Sequence, residues 1–115
     1  MTREQLAHVL RAAARITGDP AILVIGSQAI LGSYSETELP KVTWLSAEAD
    51  IAFLNEVAGS QKSDDVDGAI GELSQFHQTN DYYAQGVDLT TAKLPDGWEH
   101  RLVPFQPASA EPARA

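Results

Sequence analysis

Apolar positions recur along residues 3–17 with the 3.6-residue period of a helix. Leu6, Val9, Leu10, Ala13 and Ile16 form one stripe, with His8, Arg11 and Arg15 on the opposite side. Thr2 followed three residues later by Gln5 has the spacing of a capping box. Gly18, then Asp19-Pro20, predicts the helix end. The pattern then changes. Residues 21–25 are a continuous apolar run of Ala21, Ile22, Leu23, Val24 and Ile25, short and β-branched, which predicts a strand buried on both faces. Residues 28–31 read as a short helix closing near Gly32, residues 33–40 as a loop ending at Pro40, and residues 41–45 as a short edge strand.

Over residues 48–54 the period is two. Glu48, Asp50 and Ala52 fall on one face, and Ala49, Ile51 and Phe53 on the other, which predicts a central strand. A polar loop over 55–63 leads to a predicted helix over 64–76, with Val66, Ala69, Ile70 and Leu73 at helical spacing. Asp64, Asp65 and Asp67 crowd its first turn, where the helix dipole favours negative charge. Tyr82 to Val87 reads as a third strand. Pro95-Asp96-Gly97 signals a turn, and Arg101 to Phe105 reads as a last strand. From Gln106 onward little is available to bury, so a disordered tail is expected. These elements predict an α/β (α+β) domain over residues 1–105, with helices packed against one mixed sheet.

Composition narrows the function classes. A chain of 115 residues with 43% hydrophobic positions has the size and core of one globular domain. Sixteen acidic residues against eight basic ones leave a net charge of −8. That argues against a broad basic surface for nucleic acid, although Arg3, Arg11 and Arg15 cluster locally. The absence of cysteine excludes disulfides, thiolate zinc sites and cysteine nucleophiles. No long apolar run and no signal-peptide pattern occur, so no membrane association and a cytoplasmic location are expected.

Two local features carry candidate chemistry. Gly26-Ser27 ends the first strand at the start of a short helix. There a glycine admits close backbone approach, and a serine adds a hydroxyl to free N–H groups, which suits an anion. A simple turn with a helix cap is the competing reading. Glu48 and Asp50 stand at i and i+2 of a strand, about 6.6 Å apart along it on one face. Two carboxylates so placed suit one Mg²⁺, a hard cation that takes oxygen ligands and keeps positions for phosphate. A solvated polar strand face is the competing reading.

Taken together, Gly26-Ser27, Ala29, Gly32 and Glu48-x-Asp50-Ile51 resemble the signature of the nucleotidyltransferase superfamily that includes DNA polymerase beta. The stretch 24–32 with Glu48 to Ile51 looks more narrowly like a small bacterial branch of it. That branch is related to the nucleotidyltransferase toxins of toxin–antitoxin and abortive-infection pairs. The similarity continues through Asp67-Gly68-Ala69-Ile70-Gly71-Glu72-Leu73 and Tyr82-Tyr83-Ala84-Gln85-Gly86-Val87, covering most of residues 3–103. The resemblance implies that Gly26 and Ser27 hold the phosphates of a nucleoside triphosphate and that Glu48 and Asp50 bind Mg²⁺. It implies in-line transfer of a nucleotide to a hydroxyl of RNA, such as tRNA, or of protein. A third carboxylate is expected on a later strand, and Asp88 is the candidate. The superfamily commonly has aspartate where Glu48 stands, and a helical region usually follows, so a minimal or truncated form is expected. An antitoxin partner and a homodimer covering an open sheet edge or apolar face are further expectations. A catalytically inactive binding or regulatory protein of the same fold, or an unrelated α/β interaction domain, are the alternatives.

Other polar and aromatic residues read as structural. His77 is expected at a helix end, and the Asp64, Asp65 and Asp67 group as a solvated helix start. Tyr82 and Tyr83 are expected on opposite faces of their strand, one in the core. Trp44 and Trp98 are expected as core or interface anchors.

Overall fold

In the computed structural model, residues 1–26, 36–38, 46–55, 61–89, 94 and 96–102 are described. The first helix, α1 (Arg3–Thr17), forms as its periodicity predicts, with Leu6, Val9, Leu10 and Ala13 buried and Ala7 with them. The capping box is complete: Gln5 N donates to Thr2 Oγ1 at 3.1 Å, and Thr2 N donates to Gln5 Oε1 at 2.8 Å. Gly18 closes the helix in the left-handed conformation and donates its N–H to Ala14 O. Ile16, expected on the buried stripe, is 39% exposed. His8, expected on the solvent side, instead packs against Phe76 and Tyr82, and its Nδ1 bonds the Tyr82 hydroxyl.

Strand β1 (Ile22–Ile25) runs antiparallel to β2 (Glu48–Phe53), and β3 (Tyr83–Gly86) runs parallel to β2, giving the order β1-β2-β3. The mixed α/β class is therefore as expected, and β2 is central. The parallel β2–β3 pair requires a crossover, which two helices supply: α2 (Lys62–Ile70) and α3 (Gln75–Asn80). The single helix expected over 64–76 is thus two helices, and the first begins within the expected loop. The break follows from local chemistry. Gly71 leaves helical geometry at φ −80°, ψ −174°, and Ser74 caps α3 by accepting from His77 N at 3.2 Å. Between them Leu73 takes the left-handed conformation at φ 67°, uncommon for a bulky residue.

All helices named contribute to one face of the sheet. Leu6, Val9 and Leu10 of α1, with Val66 and Ile70 of α2, pack on Ile22, Ala49, Ile51, Phe53 and Ala84. Alternation in β2 holds from Glu48 to Ile51, with Ala49, Ile51 and Phe53 at 0% exposure, but Ala52, expected on the polar face, is buried as well. Strand β1 departs from the two-sided burial predicted for it. Ile22 is buried but Leu23, Val24 and Ile25 are half-buried; among the described residues β1 is paired on one side, by β2.

The crossover presses closely on β3. A Cβ added to Gly86 would lie 2.3 Å from Ser63 O, so α2 can approach there only over a glycine. Two side chains of α2 satisfy backbone groups of this segment: Gly86 N donates to Asp67 Oδ1 at 2.7 Å, and Ser63 Oγ donates to Val87 O at 3.1 Å. Asp67 thus satisfies one backbone donor at the end of β3 that β2 leaves unpaired. At the opposite end, Lys62 Nζ reaches Asp19 Oδ2 at 2.6 Å and lies 5.7 Å above the Phe53 ring centroid. This ion pair ties the turn after α1 to the start of α2.

Arg101, expected to open a last strand, instead closes a 3-10 turn over Trp98–Arg101, and Trp98 is half-buried. A second 3-10 turn spans Glu36–Glu38, within the expected loop. The helix expected over 28–31, the strand over 41–45 with Trp44, residues 103–105 and the tail from Gln106 lie outside the described residues. No helix among the described residues is long and apolar enough to cross a membrane.

Candidate functional site

The antiparallel register sets Ile25 opposite Asp50, so the residue that follows β1, Gly26, stands beside the carboxylate. Gly26 is left-handed at φ 81°, a conformation that other residues adopt at a cost, and its Cα–H side faces Asp50 with Oδ2 3.8 Å from an added Cβ. The period of β2 puts Glu48 on the same face as Asp50, and both are half-buried. Three of the sequence-predicted site residues, Gly26, Glu48 and Asp50, thus converge. Ser27 lies outside the described residues.

Asp88 is exposed and follows β3 by two residues. The register that pairs Gly86 with Ile51 carries Asp88 to the level of Phe53, roughly 10 Å along β2 from Asp50. From β3, the residues that alternation sets on the Glu48 and Asp50 face are Tyr83 and Gln85, paired with those two carboxylates in turn.

Electrostatics single out Asp50. Burial first, and then a hydrogen bond with Glu48 and its charge, push the Asp50 carboxyl up to about 6. Its Oδ1 is buried and has no hydrogen-bond partner among the described residues. An acceptor of this kind, next to a second carboxylate, carries an uncompensated cost that a cation would remove.

Glu48 is held from β3. The Tyr83 hydroxyl donates to Glu48 Oε2 at 2.8 Å and lies 3.3 Å from Glu72 Oε2. The Glu48 hydrogen bond first, then burial and the charges of Glu48 and Glu72, raise the Tyr83 phenol above its ordinary range. The Tyr83 ring packs on His77, with centroids 4.5 Å apart. His77 Nδ1 in turn accepts from Leu73 N at 2.9 Å and so supports the left-handed turn that carries Glu72. His77 therefore stands inside α3 with two partners. A cavity of about 310 Å³ opens here, lined by Glu48, Asp67, Glu72, Tyr83, Ala84 and Gln85. Its lining is acidic and polar, with no described cationic side chain.

The donor set can be weighed against a metal ion. Among the described residues no group of three or more His, Asp or Glu is placed to hold one. Two carboxylates with one orphaned buried oxygen fit Mg²⁺, which usually keeps several waters and takes one or two carboxylates together with substrate phosphates. They do not form an all-protein cage of the kind calcium favours. Asp64 and Asp65 are exposed in the first turn of α2, as expected, while Asp67 serves β3.

Comparison with protein-family models, with curated proteins and with solved structures returns no match.

Tyr83 and Glu72 are the site residues that sequence reasoning missed. A signal for Tyr83 existed in the alternation of residues 82–87, since one of two adjacent strand tyrosines must share a face with its neighbour's polar positions. Which one depends on the β2–β3 register, a tertiary fact. Tyr82 is the core member, at 9% exposure.

Proposed function

We propose that the chain binds a nucleoside triphosphate with Mg²⁺ at the Gly26, Glu48 and Asp50 site, and that it acts as a nucleotidyltransferase. The observation that supports this best is the buried, unpartnered Oδ1 of Asp50 beside Glu48, at the turn where Gly26 follows β1. In this reading Glu48 and Asp50 hold the metal. Gly26 lets backbone approach the phosphates, and Ser27 follows it with a hydroxyl. Bound Mg²⁺ would supply charge neutralisation at the phosphates and a lowered pKa for the acceptor hydroxyl. The acceptor in the same reading is a hydroxyl of RNA or protein. Asp88, the expected third carboxylate, stands about 10 Å along the strand from Asp50, outside the metal pair, and Asp88→Asn should leave Mn²⁺ affinity unchanged.

The deciding experiment is a titration of the purified chain with Mn²⁺, followed by electron paramagnetic resonance, with and without a non-hydrolysable ATP or GTP analogue. The expected result is metal binding that strengthens with nucleotide and falls at least tenfold in Asp50→Asn. If neither metal nor any nucleotide binds at millimolar concentration, the reading is wrong. Incorporation of labelled nucleotide into RNA or protein, lost in Asp50→Asn, then tests transfer.

A further inference from the structure

We propose that Tyr83 is the positioning residue of this carboxylate site: its hydroxyl fixes the Glu48 carboxylate in the orientation that receives the metal. The inference rests on the metal-site reading above and adds to it a residue that the motif does not contain.

The Tyr83 hydroxyl has one proton to donate, and two carboxylate oxygens lie within reach. The 2.8 Å contact to Glu48 Oε2 is the shorter and takes the proton, while Glu72 Oε2 at 3.3 Å is the weaker acceptor. A hydrogen bond to an ionised acceptor is stronger than a neutral one, so it holds the carboxylate's rotamer as well as its charge. The hydroxyl is itself held. Its ring packs on His77, and His77 is anchored by the Leu73 N–H at 2.9 Å and by the cap of α3. The backbone of Tyr83 is fixed by its N–H, which donates to Ala47 O at 3.0 Å, one residue before Glu48. Donor and acceptor therefore sit on adjacent, directly paired strands, in which Glu48 is opposite Tyr83.

Glutamate explains why such a device is useful here. It has one more rotatable bond than aspartate and so needs more restraint to present its oxygens in one place. Asp50 has the shorter side chain and a buried Oδ1. Glu48 is restrained by Tyr83. Partners of this outer kind typically contribute 10–100-fold to metal affinity.

Tyr83→Phe removes only the hydroxyl and leaves the ring on His77. The expected outcome is Mn²⁺ affinity weakened by about 10–100-fold. The metal-free variant should still unfold cooperatively, at a somewhat lower temperature than wild type, and the side-chain carboxyl ¹³C resonance of Glu48 should shift. Equal Mn²⁺ affinity in Tyr83→Phe and wild type overturns the positioning role and leaves the metal site standing. Failure of the wild type itself to bind Mn²⁺ removes the metal site and this proposal with it. A second measurement needs no variant. In metal-free wild type the Tyr83 hydroxyl proton should be slowed in exchange and show a through-space contact to Glu48. A hydroxyl proton in fast exchange with water overturns the proposal even if the variant does not fold.

Discussion

Asp50 combines two properties that structural carboxylates seldom share: a buried oxygen with no partner, and a like charge beside it. Both weaken the metal-free fold, so removing the charge should strengthen it. The sign follows from the raised folded-state value of about 6 against an ordinary 3.8. The native state holds the proton more tightly than the unfolded chain, so stability falls as pH rises from about 4 through about 6 and stays low above. Asp50→Asn lacks this term. The variant should resist urea better than wild type at pH 8, with the difference shrinking through pH 6 and gone near pH 4. Metal binding, in contrast, should be lost at every pH. A variant that is less stable than wild type at pH 8 would show that Asp50 has a structural partner and would remove the main support for the site. A residue whose loss stabilises the protein but abolishes binding is the expected signature of a functional position.

At the scale of elements, the site depends on how closely α2 lies on β3. Gly86 is the contact that sets this, because a Cβ there meets the Ser63 carbonyl at 2.3 Å, and backbone cannot move aside cheaply. Gly86→Ala should cost about 1–3 kcal/mol or more, the range for overpacking a well-filled contact, read as a lower urea midpoint. It should also weaken the Tyr83 hydroxyl contact to Glu48, since Tyr83 and Gly86 share one short strand. A full wild-type midpoint would mean that α2 is free to shift. This contact also marks what the sequence could and could not reveal. Helix α1 was legible to its caps, because periodicity and capping chemistry are local. The common face of Glu48 and Asp50 was legible from the period of two. The split between α2 and α3 was hidden because Val66, Ala69, Ile70 and Leu73 keep helical spacing across Gly71, and Leu73 proves to be 75% exposed. The approach of Gly26 to Asp50 and of Tyr83 to Glu48 follows from strand pairing, which no local pattern encodes.

For the molecule as a whole, acid stability is set by groups that pull in opposite directions. Asp50 gains a proton favourably as pH falls through about 6, which stabilises the fold. The net charge of −8 also shrinks toward the isoelectric point near 4.6, relieving self-repulsion in the same direction. His8 opposes both. Burial among Phe76 and Tyr82, and then the nearby Arg11 charge, lower its value below 6.5. The unfolded chain therefore takes up that proton first, and stability is lost as pH falls below 6.5 toward the folded value. Asp19 acts lower still. The Lys62 hydrogen bond, and then the Ala21 N–H, hold its carboxyl below 3.8, so its contribution is present above 3.8 and lost as pH falls through the folded value. Wild type should therefore show a shallow profile between about pH 4 and 6.5, then a steep loss below. The two variants should tilt that plateau in opposite senses: Asp50→Asn should lose stability as pH falls across it, and His8→Gln should gain. Asp19→Asn should leave the slope of the plateau alone, lower its height by about 1–3 kcal/mol and soften the final acid loss, because the Lys62 link between the α1 turn and α2 is already broken. Urea midpoints at half-unit pH steps measure all three. Parallel plateaus for Asp50→Asn and His8→Gln would show that neither group is set apart by the fold.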